Sequence, residues 1–84
     1  METKIAHNQR TRFDYRRFIY DVMEYASNLP PPRTGLTVLG RIHRETEIDK
    51  DVLKYAFTQD HIRSFDTILR LAGWAGLYLD EYRI

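Results

Sequence analysis

The chain has 84 residues, 43% of them hydrophobic and 13% aromatic, with a net charge of +1 and no cysteine. That length holds one domain, the apolar content excludes intrinsic disorder, and the lack of thiols excludes a disulfide framework or a thiolate metal site. No apolar run approaches the roughly 20 residues of a membrane span and no secretion-type apolar core is visible, so a cytoplasmic, membrane-free protein is expected.

Residues 1–10 have no periodicity and read as a flexible, mildly basic arm, leaving 11–84 as a single domain. Thr11 to Asp14 has the form T-x-x-D, a loose capping box that predicts a helix start. Tyr15, Phe18, Ile19, Val22, Met23 and Ala26 follow at helical spacing as one apolar stripe. Asn28 and then Leu29-Pro30-Pro31-Pro32 end it, because proline lacks the amide donor and disfavours helix in the residue before it.

Gly35 and Thr37 mark a second start, with Thr37 the N-cap of a short helix over 38–46. Val38, Leu39 and Ile42 share one face with His43 at its edge, while Gly40, Arg41, Arg44 and Glu45 face the other way. Ile48-Asp49 reads as a turn with Asp49 a strong N-cap, and a third helix is predicted over Lys50–Gln59. Val52, Leu53, Ala56 and Phe57 make its apolar arc; Lys50, Asp51, Lys54, Tyr55 and Thr58 make the polar one. Ser64 caps a fourth helix whose expected buried side is Phe65, Ile68, Leu69, Ala72 and Trp74, ended by Gly76. The tail from Leu77 reads as either a last helical turn or a short strand. The predicted fold is therefore all-α, a four- to five-helix bundle containing a helix-turn-helix.

Charge is unevenly spread. Residues 1–44 balance to +4 and residues 45–84 to −3, and ten of the thirteen cations are arginine, the side chain that forks onto phosphate or carboxylate. In a helix-turn-helix, the third helix needs one apolar side as an anchor and one polar side to enter the major groove. The 50–59 segment has both, with Lys50 and Lys54 one turn apart and Asp51 and Tyr55 beside them. Lysine donates to guanine or phosphate, and aspartate accepts from cytosine. An ordinary amphipathic surface helix carries the same wheel.

The residues from 35 to 82 resemble the lambda-repressor-like (Cro/XRE) family. The likeness runs through Ile42, Ile48-Asp49, Leu53 and the stretch Ser64-Phe65-Asp66-Thr67-Ile68-Leu69-Arg70-Leu71-Ala72, then Gly76-Leu77-Tyr78-Leu79-Asp80-Glu81-Tyr82, and its spacing from Ile42 through Leu53 to Asp66 needs no gap. It implies base contacts from Lys50, Asp51, Lys54 and Tyr55. Phosphate contacts would come from Thr37, Arg44 and Arg63, with Arg10 and Arg12 reaching the duplex from the arm. The chain departs from the family at His43, where alanine is usual, and at Glu47, where glycine is usual. It departs also at Val38 and Leu39, where polar residues open the helix, and at Phe57-Thr58-Gln59, where the family has E-x-G.

No catalytic or metal-binding set stands against this reading. His7, His43 and His61 lack ligand spacing, and Ser27 and Ser64 are poor material for a nucleophilic site, so neither an enzyme nor a cofactor is expected. Trp74 reads as core, and the six tyrosines exceed what so small a core hides; scattered over the surface they are ordinary, and clustered they mark an interface. The expectation is a sequence-specific DNA-binding transcriptional regulator of bacterial, phage or plasmid type, homodimeric through helix 4 and the tail. The competing expectation is a protein-binding module, antitoxin-like or a phage-encoded inhibitor, on the same fold.

Overall fold

The computed structural model describes residues 12–30 and 37–84; the expected arm, Arg10, Thr11, Pro31, Pro32 and Gly35 lie outside them. Within the described residues the chain is all-helical. Four α-helices, α1 (Tyr15–Asn28), α2 (Val38–Thr46), α3 (Lys50–Gln59) and α4 (Phe65–Ala75), are followed by a 3-10 turn at Leu79–Tyr82. None of these helices is long and apolar enough to cross a membrane.

α1 begins one residue after Asp14, whose carboxylate accepts the Arg17 amide at 3.2 Å. The aspartate of the T-x-x-D motif is thus the cap itself. Phe18, Ile19, Val22 and Ala26 are buried, and Tyr15 and Met23 pack beside them. The helix stops where Leu29, ahead of Pro30, turns extended at ψ 153°. α2 starts as expected, with the Thr37 hydroxyl oxygen accepting the Gly40 amide at 3.0 Å. Gly40, expected to face outward, is buried; lacking a side chain, it contributes no apolar signal to the periodicity.

The buried face of α4 differs from the predicted one. Ile68 and Ala72 are inside as expected, joined by Thr67, Leu71 and Ala75. Phe65 and Leu69 point outward at 65% and 48% exposure, and Trp74 is half-buried. Apolar residues surround most of this helix, so spacing alone does not select a side; packing against α1 and α2 does.

The tail is neither simple alternative. After Gly76, which adopts φ 70° as the C-cap of α4, the chain makes its 3-10 turn and pairs in extended form with the segment ahead of α1. The Asp14 amide donates to the Tyr82 carbonyl at 2.6 Å, and the Ile84 amide to the Arg12 carbonyl at 2.8 Å, around a bridge between Phe13 and Arg83. Tyr82, counted from the sequence among the surplus tyrosines, is 2% exposed. Its ring lies edge-on to Phe18 with centroids 5.2 Å apart, and its hydroxyl donates to Asp21 at 2.6 Å. Burial, and then the Asp21 carboxylate, push its phenol well above the ordinary tyrosine range.

On another side the Trp74 indole donates to Glu45 at 2.8 Å, Arg41 donates to the other carboxylate oxygen at 3.0 Å, and Tyr25 sits edge-on to Trp74. Arg41 also donates to the Pro30 carbonyl. This set ties α1, α2 and α4 together where α1 ends. Glu45 is held below its usual carboxylate range by the Trp74 bond first and the Arg41 bond second.

Candidate nucleic-acid interface

The presentation of α3 depends on the turn Glu47-Ile48-Asp49 that joins it to α2. Glu47 occupies the left-handed region at φ 64°, ψ 24°, the conformation for which glycine is the usual residue. The backbone therefore makes the tight turn without the glycine. The surrounding hydrogen bonds explain how. The Thr46 hydroxyl donates to the Ile42 carbonyl at 2.6 Å and accepts the Ile48 amide at 3.3 Å. Arg70, paired with Asp66, reaches from α4 to the Thr46 carbonyl at 3.2 Å. The His43 ring nitrogen Nδ1 lies 2.6 Å from the Ile48 carbonyl oxygen, a contact that requires Nδ1–H as donor. The His43 side chain thus clamps the turn from α2.

Ile48 is buried and anchors the turn, as expected. Asp49 stands at the N-cap of α3 but makes no side-chain cap bond, and the same is true of Ser64 ahead of α4. Both were expected to cap; here the helix starts are held by Ile48 and by Ile62, each buried one or two residues earlier. α3 then buries Leu53 and Ala56, with Phe57 half-buried. Val52, assigned to the apolar arc, is 37% exposed at its margin.

Lys50, Asp51 and Lys54 are all exposed, as their polar arc required. Tyr55 is different. It is half-buried, with the Arg63 guanidinium stacked 3.8 Å from its ring centroid and His61 edge-on at 6.3 Å. One face of its ring is thus covered by Arg63. Asp51, Val52, Tyr55, Arg63, Ser64 and Thr67 together line a cleft of about 200 Å³ between α3 and the start of α4.

Of the expected phosphate contacts, Thr37 is exposed with its oxygen occupied by the Gly40 amide, leaving the hydroxyl proton to donate. Arg44 is exposed on α2, and Arg63 is exposed on the loop after α3. Arg12 is exposed at the seam with Ile84, and Arg10 is outside the described residues. The stack of Arg63 on Tyr55 joins two of the expected residues directly.

The loop 60–63 adds residues that the sequence did not single out. Asp60 takes the left-handed conformation at φ 53° and pairs with Arg16 of α1 at 3.4 Å. His61 stacks on Tyr15 with centroids 4.4 Å apart. These contacts join segments distant in the chain, and no local pattern announces them. Comparison with protein-family models, curated proteins and solved structures gives no match for this chain.

Proposed function

We propose that the chain is a sequence-specific DNA-binding transcriptional regulator of repressor type, working in the cytoplasm of a bacterium or from a phage or plasmid. The observation that carries this reading is α3. It is anchored by Leu53 and Ala56 and offers Lys50, Asp51 and Lys54 to solvent from a helix that follows a three-residue turn. Lys50 and Lys54 donate to guanine or phosphate, and Asp51 accepts from cytosine. Arg44, Thr37 and Arg63 supply the flanking phosphate contacts. With a net charge of +1 and with Glu47, Asp49 and Asp51 near the same helix, non-specific affinity is weak and base contacts carry selectivity. The regulator acts as a homodimer on two half-sites, a reading supported by the exposed apolar side chains of Phe65 and Leu69.

The test is binding to duplexes selected from a randomised pool. Lys50→Ala and Lys54→Ala each weaken binding roughly tenfold or more, the scale of one base contact, with the melting temperature unchanged. Selection that enriches no sequence, or binding indifferent to salt and to both substitutions, rejects the reading. The same Phe65–Leu69 surface also favours a second reading, a protein-binding module of antitoxin or inhibitor type. In that case Phe65→Glu abolishes capture of the partner and the two lysine variants retain it.

A further inference from the structure

Three side chains from outside the loop 60–63 brace three of its residues. Arg16 of α1 pairs with Asp60, Tyr15 of α1 stacks on His61, and Tyr55 of α3 stacks under Arg63. Ile62, the remaining loop residue, is buried. The loop is therefore held in one shape by α1, α3 and the core at once, although its backbone carries a left-handed aspartate. Two guanidinium groups stand on this braced edge. Arg16 is 83% exposed, and its 3.4 Å contact with Asp60 is the kind of surface pair that contributes little stability. Arg63 is exposed, and its cation–π seat on Tyr55 limits the rotamers it explores.

We propose that this edge grips a phosphodiester backbone beside the α3 groove contact. Arg16 and Arg63 are its phosphate contacts, Tyr55 is a positioning residue for Arg63 and not a base reader, and Asp60 is a brake that occupies Arg16. The proposal rests on the DNA reading above and extends the footprint onto α1. For Arg63 the physical logic is preorganisation, since a guanidinium already held in place loses less side-chain entropy on meeting phosphate; Arg16 is available because its exposed pair with Asp60 is weak. Asp60 works against the contact twice, by repelling phosphate and by neutralising Arg16.

The experiment is a fluorescence-anisotropy titration of a short mixed-sequence duplex at several salt concentrations, using the full chain and variants whose melting curves match it. Arg16→Ala weakens binding and lowers the salt slope by about 0.9, the signature of one lost phosphate contact. Tyr55→Leu weakens it similarly, and Tyr55→Phe, which keeps the ring, restores it. Asp60→Asn tightens binding several-fold. Asparagine tolerates the left-handed conformation, so this variant retains the loop. Asp80→Asn, which removes an exposed carboxylate from the tail, controls for net charge and tightens binding much less.

If Asp60→Asn does no more than Asp80→Asn, and Arg16→Ala and Tyr55→Leu leave affinity and slope unchanged while Lys50→Ala still weakens binding, the proposed edge is wrong and the DNA reading stands. If the unaltered chain binds no duplex at any salt concentration and selection from the randomised pool enriches no sequence, both fall together.

Discussion

His43 and the Ile48 carbonyl oxygen, 2.6 Å apart, close the turn between α2 and α3 from the helix that precedes it. The contact makes the His43 side chain a structural clamp on a turn whose left-handed residue is Glu47 and not glycine. His43→Ala leaves the carbonyl of a buried residue without this donor and destabilises the fold by about 1–3 kcal/mol. Urea denaturation measures it. A midpoint within error of the parent chain means that the clamp contributes nothing.

Glu47 supplies the complementary prediction. A non-glycine residue at φ 64° carries steric strain on the order of 1–2 kcal/mol, part of which glycine returns as extra entropy of the unfolded chain. Glu47→Gly therefore stabilises by about 1 kcal/mol, raising the melting temperature by roughly 4–8 °C. Glu47→Ala keeps the strain and gives no such gain. Equal melting temperatures for the two variants contradict the strain argument.

Trp74 is the chain's sole tryptophan and donates directly to Glu45, so its fluorescence reports on that carboxylate. The Glu45 carboxyl is shifted below its ordinary value of 4.5. Its contribution to stability is therefore complete above that value and is lost as pH falls through the lower, folded one. An acid titration shows a step in Trp74 emission below pH 4.5 that Glu45→Gln removes. A step that persists in the variant assigns it to another group.

Phe65 and Leu69 lie one helical turn apart on the outer side of α4, both exposed. Sedimentation at micromolar concentration detects a homodimer, and Phe65→Glu combined with Leu69→Glu gives a monomer with an unchanged helical spectrum. A monomeric parent chain removes the homodimer from the proposal and leaves these side chains to a different partner.

Helix existence and limits were legible in the sequence wherever the signal is local. Thr37 and Gly76 act through their own backbone neighbourhoods, the proline after Leu29 restricts the residue before it, and the α3 wheel needs only its ten residues to separate Leu53 and Ala56 from Lys50 and Lys54. Asp14 was visible as part of a motif, though its role as the cap itself was not. Asp49 and Ser64 have the right side chains at the right places and make no cap bond, because residue type licenses such a bond without specifying the rotamer that forms it.

Local signals by themselves therefore determined an all-helical domain, the ends of its helices and the polar face of α3. Tertiary structure alone decided which side of α4 is buried, because Phe65, Ile68, Leu69, Leu71, Ala72, Trp74 and Ala75 leave that helix with more apolar residues than one face can hide. It also decided that Tyr82 belongs to the core, that Tyr55 lies under Arg63, and that Arg16 meets Asp60. Each of those contacts joins residues eight or more positions apart. Helical periodicity reports only on neighbours within one helix, and such pairs join a helix to residues outside it where the whole chain packs.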